Sequence, residues 1–274
     1  MAIIEYAAKS DIGRVRTNNE DHFAFDEKLG LYLVADGMGG HNSGEVASKM
    51  ATDTVIRTFA QALERRNEPD RTQVIFGQNS PGLSDVANHL VSAIRLANQA
   101  IFEASQNYSQ NYGMGTTLVS TLVLPQSYVI AWVGDSRIYL VRHNQIQQLS
   151  TDHSLVQEQV NRGLISADEA ENSQFKNILT RALGTADTVE VDAAEIPAFD
   201  DDYIILCSDG LTKMVTDQQI LKTVLDLKEP QEICTELLEA ANQAGGRDNV
   251  TILMLHRKTE NIWDKFLKAI SKAS

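Results

Sequence analysis

Four times along this chain an aspartate stands at the end of a short apolar run, beside or close to glycine. Asp36 follows Leu31-Tyr32-Leu33-Val34-Ala35 and precedes Gly37, and Asp135 follows the run 128–133 and Gly134. Asp209 follows 203–207 and Ser208 and precedes Gly210, whereas Asp248 follows Gly245-Gly246-Arg247 and leads into 250–255. One Asp-Gly pair is a turn signal. Four strand-end acids, with Asn19-Glu20-Asp21 in addition, predict carboxylates that a sheet scaffold brings to one point, where glycine lets backbone carbonyls approach a cation. Such a cluster repels itself unless cations neutralise it. The donors are oxygens with no matching His or Cys set, which favours Mg2+ or Mn2+ over Zn2+. Two such ions held close together turn water into hydroxide and clamp a phosphoryl oxygen, so phosphoester hydrolysis is the expected chemistry. Ser208 and Cys207 have no His nearby in sequence, so no side-chain nucleophile is expected. Arg16, four residues before Glu20, is the expected grip on a substrate phosphate, because a guanidinium holds two phosphate oxygens in a fork.

The pattern along the chain predicts how such acids are carried. Short runs at 23–25, 31–35, 117–124, 128–133, 138–142, 203–207 and 250–255 read as strands. Two hairpins are expected, one turning at Pro125-Gln126-Ser127 and one at His143-Asn144. Apolar residues at helical spacing predict helices over 43–65, 84–106 and 230–244. Strands grouped with strands, and helices with helices, predict an α+β domain of antiparallel sheets covered by helices. The stretch 67–82 reads as a surface loop, and 151–174, polar and acidic, as short helical pieces forming a flap. Residues 257–274 place Ile262, Trp263, Phe266, Leu267 and Ile270 among lysines, an amphipathic tail expected to dock on the body first, with a partner or a membrane surface as the alternatives.

Composition narrows the partners. The 274 residues fit one large domain with a short appendage. A net charge of −13 disfavours nucleic acid. The two cysteines lack paired spacing, which argues against a disulfide framework or structural zinc, and Cys207 reads as a buried small hydrophobe. The start of the chain lacks signal-peptide features, and no window reaches the roughly 18 apolar residues of a membrane span. A cytoplasmic monomer is the expectation.

In chain order, eight segments carry a resemblance. They are Arg16–Asp21, Val34–His41, Gly113–Thr117, Val133–Arg137, Leu149–His153, Leu179–Gly184, Leu206–Leu211 and Gly246–Thr251. Together they resemble the metal-dependent protein Ser/Thr phosphatases of the protein phosphatase 2C type in their compact bacterial form, over roughly residues 10–255. The resemblance implies a four-layer αββα sandwich, two antiparallel sheets flanked by helices, with a catalytic domain over 1–256. It also implies two core ions and a third, weaker one. Asp36 bridges the core pair, with the Gly37 carbonyl on the second ion and Asp209 and Asp248 on the first. Glu20 reaches the second ion through water with Asp21 behind it, and Asp135 and Asp209 hold the third. Arg16 binds the substrate phosphate, the flap over 151–174 influences substrate choice, and the substrates are proteins phosphorylated on serine or threonine.

One position departs from that pattern. Animal relatives have a His directly after the Asp-Gly pair, proposed to protonate the leaving alkoxide. Met38 stands there in this chain and the nearest His is His41. His41 and a water on the third ion are therefore two candidate acids, and His41 is also a candidate for orienting substrate. His153 and His22 read as structural or surface residues. Two alternatives share the fold: a small-molecule phosphatase, and an inactive relative that binds phosphoproteins. The second would show lost metal acids, and all four are present. Ser208–Thr212 also echoes part of the haloacid-dehalogenase nucleophile motif, but Asp209 lacks that motif's second Asp two residues on and its N-terminal strand.

Overall fold

The computed structural model describes residues 3–39, 43–66 and 76–258. In chain order the strands and helices are β1 (Ile3–Asp11), β2 (Asp21–Asp26), β3 (Leu31–Met38), α1 (Ser43–Arg66), α2 (Asp85–Asn107), β4 (Gly115–Thr116), β5 (Leu118–Val123), β6 (Ser127–Val133), β7 (Arg137–Arg142) and β8 (Gln145–Gln148). They continue with α3 (Leu155–Asn161), α4 (Ala167–Glu171), β9 (Asp192–Pro197), β10 (Tyr203–Cys207), α5 (Asp209–Thr212), α6 (Asp217–Leu227), α7 (Pro230–Gln243) and β11 (Val250–Lys258). One sheet has the order β1-β11-β10-β7-β8 and the other β2-β3-β5-β6-β9, with β4 added to the end of β3. Every pairing is antiparallel.

Three apolar layers account for the sandwich. Side chains alternate across a strand, so Leu31, Leu33 and Ala35 of β3 face α1 and α2, meeting Val55, Phe59, Leu90 and Ile94. Tyr32 and Val34 of the same strand face the other sheet, packing with Val119, Ile130, Ile204, Leu206, Leu253 and Leu255. The odd residues of β10 and the even residues of β11 then meet α6 and α7 through Ile220, Val224, Ile233 and Leu237. Strands buried on both faces read as continuous apolar runs rather than alternating ones, which is why 31–35, 128–133 and 203–207 stand out in the sequence. The four-layer arrangement expected from the resemblance is the one observed.

The two expected hairpins form as β5–β6 and β7–β8. His143 and Asn144 both have positive φ, 50° and 59°, the backbone twist a two-residue hairpin turn needs. Cys207 and Cys234 are both buried in the layer under α6 and α7, where burial pushes each thiol up to about 12. Neither is a nucleophile there. The region 151–174 contains α3 and α4, each started by a serine cap, Ser154 and Ser166. β11 runs to Lys258, two residues beyond the expected edge of the domain. The expected tail from 259 on, part of the 67–82 loop (67–75), and His41 lie outside the described residues.

Candidate metal centre

The acids predicted from the sequence reach one cleft from five separate segments. Its volume is about 290 Å³, and Glu20, Asp36, Asp135, Asp209 and Asp248 line it together with Arg16 and Lys213. Asp36 lines it from the sheet. It lies inside β3, not beyond it, and the register with β2 sets Asp21 directly opposite. The Asp36 N–H donates to Thr117 Oγ1 at 3.0 Å, and its carbonyl accepts from the Thr117 N–H at 2.8 Å and the Thr116 hydroxyl at 2.9 Å. This clamp holds the backbone at the strand end. Burial holds the Asp36 carboxyl well above the usual carboxylate range, and the charges of Asp21, Asp209, Asp135 and Asp248 add to the effect.

The other acids are placed by contacts that a sequence pattern hides. Thr117 Oγ1 also bonds the Ser136 hydroxyl at 2.7 Å, tying the Asp135 loop to β3. His153 completes that loop: its Nδ1 accepts from the Gly134 N–H at 3.1 Å, and its N–H donates to the Gly134 carbonyl. Burial, with Asp209 adding and Lys213 opposing, pushes Asp135 up to about 7. Asp21 is buried, accepts from the Ser208 hydroxyl at 2.7 Å, and is pushed up to about 7 by burial. Glu20 receives the Gly44 N–H in the first turn of α1, where the helix end favours a carboxylate; burial opposes this and leaves its pKa raised.

Asp209 opens α5, and Asp248 lies beside it because two backbones touch. A Cβ on Gly210 would stand 1.9 Å from the Asn249 carbonyl, so only glycine permits the approach. Gly37 is similar, since a Cβ there would meet the Gly44 carbonyl at 2.1 Å. The glycines beside these acids thus let segments close on one another, a reason that local turn chemistry does not supply. Gly210→Ala is accordingly expected to destabilise the fold by roughly 2–4 kcal/mol, as overpacking against fixed backbone does. A urea unfolding midpoint unchanged from wild type would contradict it.

Asn249 is the latch that sequence reasoning passed over. Its Oδ1 accepts from the Glu20 N–H at 2.8 Å, while its Nδ2 donates to the Ile12 and Asn18 carbonyls at 3.0 and 2.9 Å. One side chain therefore fastens the 12–20 loop, with Arg16 and Glu20 on it, to the Asp248 corner. Lys213 was passed over too. It sits one helical turn after Asp209 and forms an ion pair with Asp209 Oδ2. Its signal in the sequence was the i,i+4 spacing from an acid already singled out.

Arg16 is near the cluster as expected, but its fork is closed on Asp248, with Nε–Oδ1 at 2.8 Å and an N–H to Oδ2 at 2.9 Å. Its side chain remains 51% exposed. The acids line one cleft, and among the described residues no three His, Cys, Asp or Glu side chains are gathered to hold an ion by themselves. Arg16 pairs with Asp248 and Lys213 with Asp209. His153 and His22 are structural as expected; His22 bonds the Thr52 hydroxyl of α1 at 2.9 Å.

The chain is similar to known proteins over most of its length. The sequence pattern of the protein phosphatase 2C family matches residues 13–249. The serine/threonine phosphatase stp of Listeria innocua is 38% identical over 255 residues, covering 91% of this chain and 94% of that protein. The Mycobacterium tuberculosis serine/threonine phosphatase PstP/Ppp superposes with a TM-score of 0.79 at 35% identity, over 94% of this chain and all of that one (100%). A structure of the PstP catalytic domain in complex with two manganese ions gives a TM-score of 0.75 at 32% identity, with 94% and 100% covered. A chain with this sandwich, this acid-lined cleft and these relatives belongs to the protein phosphatase 2C family.

Proposed function

We propose that the cleft around Asp36 is the active site of a metal-dependent protein phosphatase using Mg2+ or Mn2+. The reaction class comes with the family: this chain is a protein serine/threonine phosphatase, an enzyme that hydrolyses phosphate esters on phosphoproteins. The observation that supports the siting is Asp36 itself, a buried carboxylate on which the charges of four other acids act. The residues fit hard cations on two further grounds. The side-chain donors are all carboxylate oxygens, and Asp21 Oδ1 and Asp209 Oδ1 are buried without a hydrogen-bond partner.

In this reading Asp36 would bridge two ions, with Asp209 and Asp248 on the first and the Gly37 carbonyl on the second. Glu20 would serve the second with Asp21 behind it, and Asp135 with Asp209 would hold a third, weaker position. Bound divalent ions supply Lewis acidity toward phosphoryl oxygens and a lowered pKa for water. The chain's own residues do the rest. Arg16, half-exposed at the rim, turns its fork from Asp248 to the substrate phosphate and orients the ester. Thr117 keeps Asp36 aimed by bonding its N–H. His41 is proposed to orient substrate or to protonate the leaving alkoxide. The flap carries exposed Leu164, the residues just after it include exposed Phe175 and Ile178, and Asn177 and Leu179 line the cleft, which suits a role in choosing the peptide. No helix among the described residues is long and apolar enough to cross a membrane, and we place the enzyme in the cytoplasm as a monomer opposing protein kinases.

The test compares a phosphothreonine peptide with a sugar phosphate, in Mn2+ and in excess EDTA. The expected kcat/KM is about tenfold or more higher for the peptide, and EDTA should remove both activities. A preference for the sugar phosphate would favour a small-molecule phosphatase, and full activity in EDTA would sink the metal reading.

A further inference from the structure

Lys213 lines the cleft and has no part in the roles above. Its position is set locally. The Lys213 N–H donates to the Asp209 carbonyl at 2.9 Å, closing the single turn of α5. Residues four apart on a helical turn lie on one face, so the side chain folds back and its ammonium pairs with Asp209 Oδ2. The side chain is 31% exposed and turned toward the cleft. Asp135 and Asp248 line the same cleft as Lys213 and Asp209.

Asp135 and Asp209 are the pair assigned above to a third, weaker ion. We propose that the Lys213 ammonium occupies that third cation position, so that this enzyme carries two divalent ions and one tethered monovalent charge. The inference rests on the reading of the cleft as a divalent-metal site. The two oxygens of Asp209 divide accordingly. Oδ2 is taken by Lys213, whereas Oδ1 is buried and without a hydrogen-bond partner, leaving one oxygen for the first ion. A divalent ion entering between Asp135 and Asp209 must displace an ammonium that is covalently fixed beside them, and it meets like charge at short range if it does not. Lys213 is therefore a positioning and charge-balancing residue that sets the number of ions.

The experiment is Mn2+ binding to the full chain by equilibrium dialysis and calorimetry, on wild type, Lys213→Met and Lys213→Arg, with thermal melts to check folding. Wild type and Lys213→Arg are expected to take up two ions. Lys213→Met is expected to take up a third, about tenfold or more tighter than any third ion in wild type, as removal of one adjacent like charge requires. Three ions of equal third-site affinity in wild type and Lys213→Met would overturn the proposal while leaving the metal site intact. Wild type alone decides the matter if Lys213→Met fails to fold, because three tight ions in wild type contradict it directly. Absence of any Mn2+ uptake would overturn the metal reading, and this proposal with it.

Discussion

Asp36→Asn is expected to lower kcat/KM on a phosphothreonine peptide by about 10³-fold or more, the scale on which a lost electrostatic or metal-holding group acts, while raising the melting temperature measured in EDTA. The two effects share one cause. Asp36 sits at the strand end with Asp21 opposite it in register, and Asp209, Asp135 and Asp248 add their charges. A buried carboxylate in that field costs stability when nothing positive offsets it. An amide of the same shape keeps the volume and removes the repulsion, but it cannot supply the charge that divalent ions need. Calorimetry in EDTA and a peptide assay in Mn2+ read the two halves separately. Activity within about tenfold of wild type, or a melting temperature in EDTA that falls, would contradict this account of Asp36.

The same field predicts an unusual dependence of stability on pH. Asp21 and Asp135 are each pushed up to about 7 by burial, from 3.8 in the open chain. Between those values the folded protein keeps protons that the unfolded chain has released, so stability falls as pH rises through this window. The penalty is absent below about pH 4 and complete above about pH 7, and reaches at most about 4 kcal/mol for each acid. Because the two share neighbours in one field, the sum is smaller. In EDTA, the urea midpoint is therefore expected to be higher at pH 5 than at pH 8. Mn2+ should reverse that order, since its ligands must be deprotonated and binding only the folded state stabilises it. A midpoint in EDTA that rises from pH 5 to pH 8 would count against carboxylates held neutral in the cleft.

Legibility of the fold followed burial. Runs buried on both faces, such as 203–207, were recovered to the residue, and α7 to within one. The edge strands β1 and β9 were missed, because their half-buried, mixed patterns (Ile3–Asp11 and Asp192–Pro197) carry little apolar periodicity. α6 was also missed, although its Thr216 capping box was present in the sequence. At the site, all five acids lining the cleft were named in advance: four carry a local signature, an acid at a strand end with glycine nearby, whereas Glu20 was added from Asn19-Glu20-Asp21 and took its role from the resemblance. Asn249 and Lys213 were not singled out. A latch between residues 12, 18, 20 and 249 joins the two ends of the chain, and no local pattern records such a contact.

What the amino-acid sequence determined by itself was the chemistry on offer: oxygen donors, their number, their places at strand ends, and an arginine within reach. Each of these depends on residue type and short-range spacing. What only the tertiary structure decided was how those charges are balanced. Arg16 closes on Asp248, Lys213 on Asp209, and Asp36 is left surrounded by acids. Charge balance depends on distance and burial, and those arise only when segments as far apart in the chain as Arg16 and Asp248 are packed together, with Gly210 lying against Asn249.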